Sequence, residues 1–287
     1  MREIISLLKP KVLSYKNASS RGGKRKLLRY GVFLTMGLLF WLGTFFIFFK
    51  VLSYCSGIEV IGTLLASKLL SMVFLAFFSL LIFSNVSTAL STYFLSDDLQ
   101  LLNALPISRL HLFASRFIEN IVNSSWTVLF FSFPVFLAYG MVYSASPLYY
   151  FTLAGVIVPF LLISAAEGIV LILLLVYIFP ARRLKDIILV SSIFLVVGVF
   201  IFIRFLQPER LVDPESFYLV MDYISNLRAP TSPLIPSQWA ANAISPFLFE
   251  DLGDWWFFLL VLWSTGLAFF AIGEWIFEKI YYDAWSK

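Results

Sequence analysis

Long apolar runs separated by shorter polar connections dominate this 287-residue chain. Crossing a bilayer takes about 20 residues of helix, and six of the runs are long enough. They cover approximately residues 31–53, 60–95, 110–140, 148–179, 187–206 and 255–278. The runs are nearly continuous, unlike the alternating segments of a membrane β-barrel, so helices are the structure that satisfies their backbone in lipid. The sequence predicts an all-α integral membrane protein with six transmembrane helices.

Composition excludes a soluble domain and several kinds of site. Hydrophobic residues make up 60% of the chain and charged residues 13%, against about 45–50% and about 25% in soluble domains. The mean hydropathy is +0.90. A single cysteine, Cys55, excludes a disulfide within the chain, and with a single histidine, His111, no zinc cluster is expected. We expect neither a metal ion nor a nucleic-acid partner.

Two segments outside the spans have membrane-surface character. Residues 1–30 are basic and weakly amphipathic, which predicts a helix on the membrane surface followed by a turn, or else a disordered basic tail. The first apolar patch, Ile4–Leu8, is too short for a cleavable signal peptide. Within the six-span domain, 31–287, the external segment of about 207–254 is too apolar for a free loop. It predicts short helices on the outer leaflet before the last span.

Orientation follows from lysine and arginine, which concentrate in cytoplasmic connections. With six spans, both termini and the connections after the second and fourth spans share one side. That side carries 16 of the 21 positive residues: Arg2, Lys9, Lys11, Lys16, Arg21, Lys24, Arg25, Lys26, Arg29, Arg109, Arg116, Arg182, Arg183, Lys185, Lys279 and Lys287. Both termini are therefore predicted to be cytoplasmic.

The connection of about 96–106, between the second and third spans, has the pattern of a short docked helix. Ser96 or Asp97 can cap its start, and acidic residues there suit the helix dipole. Pro106 ends it. One apolar face is formed by Leu99, Leu102 and Leu105. The cover of this face is the membrane surface, the chain's own spans or a partner protein.

The same connection carries a family resemblance. The stretch 95–108 reads LSDDLQLLNALPIS, and it resembles the S-x-D-L-x-x-L-x-x-x-P-(I/V) segment of bacterial type II ABC exporter permeases. Residues 179–183 and 208–214 are similar to segments of one branch of these permeases, and the resemblance covers essentially the whole chain. Chains of that branch are nearly twice as long, with two six-span halves. This chain is then half of a longer protein, or a half-permease that dimerises.

The resemblance implies a coupling helix at 96–106, seated on a separate ATP-binding cassette ATPase. The residues that would contact or shape this ATPase site are Asp97, Asp98, Leu99, Leu102, Leu105 and Pro106. Residues 21–24 lack the first glycine and the Ser/Thr of the phosphate-loop pattern G-x-x-x-x-G-K-[ST]. ATP and Mg²⁺ would therefore bind the partner, and this chain is not expected to be an enzyme by itself. The other implied partners are membrane lipids and a second six-span unit. The implied location is the bacterial inner membrane, and the implied cargo is hydrophobic or amphipathic.

Charged and polar residues within the spans leave other functions open. Glu167 and Lys68 are candidates for a substrate path, or for a structural ion pair with each other. Such groups also suit an ion-coupled secondary transporter, while an integral membrane enzyme has little support, since no catalytic cluster is evident. A polar stripe in the third span predicts hydrogen bonds between helices. It comprises Glu119, Asn120, Asn123, Ser124 and Ser125.

Overall fold

The computed structural model describes residues 24–58, 61–104, 108–179, 183–184, 186–193, 197, 234–249 and 253–285. Regular structure in these ranges is helical, without strands. The long helices are α1 (Lys24–Ser56), α2 (Ile61–Leu90), α4 (Arg109–Val142), α5 (Pro147–Ile178) and α8 (Trp255–Trp285). The short helices are α3 (Leu99–Ala104), α6 (Pro236–Ile244) and α7 (Pro246–Phe249). A π-helical turn, Ser91–Leu95, extends α2.

Five helices in the described ranges are long and apolar enough to cross a membrane, so the chain is a multi-pass membrane protein. They are Leu34–Ser56, Gly62–Leu95, Arg109–Val142, Pro147–Ile178 and Trp255–Tyr281. Each matches one of the predicted apolar runs. Of the remaining run, 187–206, the structure describes helical residues at 187–193 and 197. The predicted surface helix before residue 24, Leu105, Pro106 and the external residues 207–233 lie outside the described part.

Helices α2 and α4 pack side by side in opposite directions. The hydroxyl of Tyr93, in the middle of the π-helical turn, donates to the Phe113 carbonyl near the start of α4 at 3.3 Å. At the other end, the Tyr139 hydroxyl donates to the Ala66 carbonyl at 3.1 Å. We call the end of the bundle that carries the connection between these helices the link end.

Helices α5 and α8 run in the same direction. The Trp263 indole N–H donates to the Gly155 carbonyl at 3.2 Å. One turn further, a Cβ on Gly266 would lie 3.5 Å from the Pro159 carbonyl oxygen. Residue numbers therefore rise together along both helices, and small residues at the contact let the backbones approach closely. As a result, α8 begins at the end of the bundle where α5 begins, away from the link end.

Two apolar clusters hold the bundle together, one towards each end. The cluster at the link end contains Tyr93, Phe113, Phe117, Ile172 and Phe277, among other buried side chains. The cluster at the opposite end joins α1, α2, α4 and α5 to the short helix α6, whose Ala240, Ala241 and Ile244 are buried in it. The short helices that precede α8 are thus packed into the bundle.

Candidate functional site

The connection at the link end folds as a turn followed by one short helix. The Ser96 carbonyl accepts a hydrogen bond from the Leu99 N–H at 3.2 Å, and the Asp98 carbonyl accepts one from the Leu102 N–H at 3.0 Å. The Ser96 hydroxyl donates to the Asp98 carboxylate. These bonds set the start of α3 directly after the two aspartates, within the predicted coupling segment of about 96–106.

A buried arginine ties this turn to the third span. Arg116 of α4 is 3% exposed, and its Nη2 lies 2.8 Å from Asp98 Oδ1. Its Nη1 lies 2.7 Å from Glu119 Oε2, one turn along the same helix. Two carboxylates thus compensate one buried guanidinium. The charge-assisted bond to Asp98 joins α4 to the connection of about 96–108, which we call the link. We call Asp98, Arg116 and Glu119 the link triad.

The predicted coupling residues face in different directions. Leu99 is only 2% exposed and Leu102 is half-buried against the apolar cluster of the link end. The chain's own spans therefore cover these two leucines, one of the three covers that the sequence left open. Asp97 is exposed, and Leu101, which falls outside the three-residue repeat, is 66% exposed. A partner docking on α3 would meet Asp97 and Leu101 first.

A second polar cluster lies deeper, where α2 crosses α4. Asn85 is fully buried, and its Oδ1 accepts hydrogen bonds from Asn120 Nδ2 at 2.8 Å and from the Ser124 hydroxyl at 2.6 Å. The Ser84 hydroxyl donates to the Ser124 carbonyl at 3.0 Å. The predicted hydrogen bonding between helices is confirmed for Asn120 and Ser124. Its acceptor, Asn85, was not predicted, although a lone amide within an apolar span is a signal for it.

Helix α5 packs against α2 at this crossing, and Gly168 lies at the contact. A Cβ on Gly168 would lie 2.7 Å from Asn85 Cβ and 3.0 Å from the Val86 backbone nitrogen. Glu167, the neighbouring residue, is half-buried at the same level. Lys68 lies 17 residues before Asn85 on the continuous helix α2, about 25 Å along its axis. That distance exceeds the combined reach of the two side chains, so the Glu167–Lys68 ion pair is excluded.

We expect Asn85→Leu to loosen the crossing of α2 and α4. The change removes both hydrogen bonds to Asn85 Oδ1 and leaves the buried Asn120 amide without this acceptor. Hydrogen bonds of this kind within membranes are worth about 0.6 kcal/mol each on average. The stranded amide adds a desolvation cost of about 1–3 kcal/mol. A lower thermal unfolding midpoint in detergent checks this. Ser79→Ala is the control, because that exposed hydroxyl bonds only within its own helix.

A family model described as "Putative ATP-binding cassette" matches residues 21–287. No curated protein and no solved structure matches the chain. The family description names the nucleotide-binding component, whereas the matched residues are largely membrane-spanning helices, and the sequence contains no G-x-x-x-x-G-K-[ST] phosphate loop. Because the match extends over nearly the whole sequence, the chain belongs to this ATP-binding cassette family.

Proposed function

We propose that the chain is the transmembrane subunit of an ATP-driven ABC transporter and works with a separate ATPase. The link carries this proposal: it presents Asp97 and Leu101 outward while the link triad anchors it to the third span. Membership of an ATP-binding cassette family supports a role in such a transporter. ATP and Mg²⁺ bind on the partner, since this chain has no phosphate loop.

The described contacts supply a route for coupling. A push on α3 reaches α4 through Asp98 and Arg116, which are joined by a charge-assisted bond of 2.8 Å. The same push reaches the apolar cluster of the link end through buried Leu99. Packed elements of this kind shift as rigid bodies. Nucleotide-driven closure of the ATPase would therefore move the spans through the link.

Six spans with both termini in the cytoplasm fit the parallel packing of α5 and α8. Because both helices begin at the same end, the chain between them must cross the membrane an odd number of times. The apolar run 187–206 is long enough for that crossing, and residues 186–193 are helical. The link end then faces the cytoplasm of a bacterial inner membrane, on the same side as the basic residues at the start of α1, and α6 and α7 lie outside.

The proposed transporter also needs a path for its substrate. A second six-span unit, from another copy or a further half of the same protein, would complete a path that exports a hydrophobic or amphipathic molecule. Half-buried Glu167 beside the three-helix crossing is the candidate polar group on that path. The same carboxyl favours the second candidate function, an ion-coupled transporter, in which Glu167 would bind the coupling ion.

We expect Leu101→Asp to release the ATPase partner. Burying a leucine side chain is worth about 1.5–3 kcal/mol, so its replacement by a charge lowers affinity by roughly tenfold or more. The measurement is ATPase activity recovered when the tagged chain is purified from native membranes in mild detergent. Leu148→Asp is the matched control, because that leucine is 51% exposed in the first turn of α5, away from the link end, where an acidic residue suits the helix dipole.

The outcomes separate the candidate functions. Recovery of an ATPase with the unchanged chain and with Leu148→Asp, but not with Leu101→Asp, supports the transporter subunit and its link. If the Leu101→Asp variant recovers as much ATPase activity as the unchanged chain, the docking site on α3 is wrong. If no ATPase is recovered in any case, the ABC transporter proposal falls. Transport driven by an ion gradient and abolished by Glu167→Gln would then identify the secondary transporter.

A further inference from the structure

A groove of about 420 Å³ lies between α2 and α4, which are two of the membrane-spanning helices. Aromatic rings line one part of it, contributed by Phe77, Phe83 and Phe131, and unpaired hydroxyls line another, contributed by Ser87, Thr88 and Thr127. None of the described side chains that line it is charged. Its volume lies within the range of about 300–1,000 Å³ that is usual for small-molecule sites. Because the groove lies on membrane-spanning helices, we expect membrane lipid to be the molecule in contact with it.

The groove is polar towards the link end and apolar towards the membrane interior. On α2, Ser87 and Thr88 lie about 15 Å nearer the link end than Phe77, at 1.5 Å per residue. On antiparallel α4, Phe131 lies on the interior side of Ser124, which bonds to Ser84. Thr127 lies between these two parts. A glycerolipid has the same order, with ester groups near the surface and hydrocarbon inside.

The hydroxyls in the groove differ from others on the same helices. The Ser71 and Ser79 hydroxyls of α2 donate to carbonyls one turn earlier, at 3.2 and 3.0 Å. Among the described residues, the hydroxyls of Ser87, Thr88 and Thr127 make no hydrogen bond. A hydroxyl without a partner is unfavourable in hydrocarbon. These three groups are therefore free donors for a ligand that accepts hydrogen bonds.

The depth of Ser87 and Thr88 agrees with such a ligand. The span Gly62–Leu95 is about 50 Å long, whereas the hydrocarbon core of a bilayer is about 30 Å thick. A centred span projects about 10 Å at each end, and Ser87 lies about 12 Å from its link end. This places both hydroxyls near the boundary of the hydrocarbon, where lipid esters lie.

We propose that this groove binds one acyl chain and the ester linkage of a membrane glycerolipid, with the headgroup outside the groove. Ester carbonyls only accept hydrogen bonds and the bilayer interior offers no donors, so Ser87 and Thr88 supply what the lipid lacks. The rings of Phe77 and Phe131 contact the chain. This site goes beyond the proposed transport function, because it needs no ATPase and holds a lipid from the surrounding membrane.

The test uses the full chain in vesicles of phosphatidylethanolamine and phosphatidylglycerol. A trace of phosphatidylglycerol carries a photoreactive diazirine at the end of its ester-linked acyl chain. After irradiation, mass spectrometry maps the labelled peptides. We expect peptides that contain residues 77–88 and 127–131 to be labelled more strongly than peptides from the exposed face of α1. The variant Thr127→Trp should abolish this excess, because the indole fills the groove. Thr35→Trp is the control, since Thr35 is exposed on α1.

A second probe tests the hydroxyls. The ether-linked analogue of the same lipid lacks the carbonyl acceptors, so the unchanged chain should prefer the ester probe by roughly two- to tenfold, as expected for one neutral hydrogen bond. The double variant Ser87→Ala/Thr88→Val should lose that preference while still being labelled. Equal labelling of all lipid-facing surfaces, or groove labelling unchanged by Thr127→Trp, would overturn the site. Cross-links from the groove to a second copy of the chain would also overturn it.

Discussion

Replacing Arg116 with methionine is expected to destabilise the protein and, in the proposed transporter, to uncouple it from the ATPase partner. The guanidinium is 3% exposed and compensates Asp98 and Glu119, which are 35% and 17% exposed. Removing one partner of a buried ion pair costs about 3–5 kcal/mol, and the partial exposure of the carboxylates places the expected loss near the lower value. The measurements are the thermal unfolding midpoint in detergent and the ATPase activity of the assembled complex.

Two further variants make this prediction specific. Arg109→Met removes an exposed arginine at the start of the same helix and should change stability by much less. The triple variant Arg116→Met/Asp98→Asn/Glu119→Gln leaves no uncompensated charge, so it should recover most of the lost stability. It should not recover coupling, because the charge-assisted bond between α4 and the turn that precedes α3 is absent. A triple variant as unstable as Arg116→Met would contradict the proposed electrostatic origin.

Gly168→Ala is expected to force α2 and α5 apart. The new methyl group would lie 2.7 Å from Asn85 Cβ and 3.0 Å from the Val86 backbone nitrogen, neither of which can rotate away. Overpacking of this kind costs about 1–3 kcal/mol, and a further step to valine should cost more. The unfolding midpoint in detergent measures the effect.

Gly155→Ala is the matched control for this prediction. It lies on the same helix, and its methyl group would meet only Leu259 Cδ1 at 3.8 Å, an ordinary contact. We therefore expect no loss of stability there, and a small gain is compatible with the higher helix propensity of alanine. If both alanine variants melt like the unchanged chain, the close approach of α2 and α5 at Gly168 is wrong.

Hydropathy alone predicted the fold class and the approximate limits of the five described spans. Each span is a contiguous run of apolar side chains, and its ability to cross lipid as a helix depends only on the residues of that run. The polar stripe of the third span also predicted hydrogen bonds correctly for Asn120 and Ser124. What the stripe could not reveal was the acceptor, because Asn85 lies 35 residues before Asn120 on another helix.

The link shows where sequence patterns stop being informative. The three-residue repeat of leucines correctly identified an apolar face at Leu99 and Leu102. No repeat, however, distinguishes a face that packs on the chain's own spans from one that docks a partner. By the distribution of positive charge, Arg116 indicates only a cytoplasmic position. Its spacing from Glu119 is a readable signal for a helical ion pair. The bond to Asp98 spans 18 residues and two helices, so it depends on how the link folds back.

The parallel pairing of α5 and α8 has a consequence for how the chain is made. Gly155 and Trp263, which meet in the folded protein, are 108 residues apart in sequence. At about 5–20 residues per second, synthesis of the second helix follows the first by roughly 5–20 s. During that interval the face of α5 that contacts α8, with Gly155 and Pro159, lacks this neighbour. The nascent chain is then open to insertion chaperones and membrane proteases, and a chain terminated before Trp255 should be degraded.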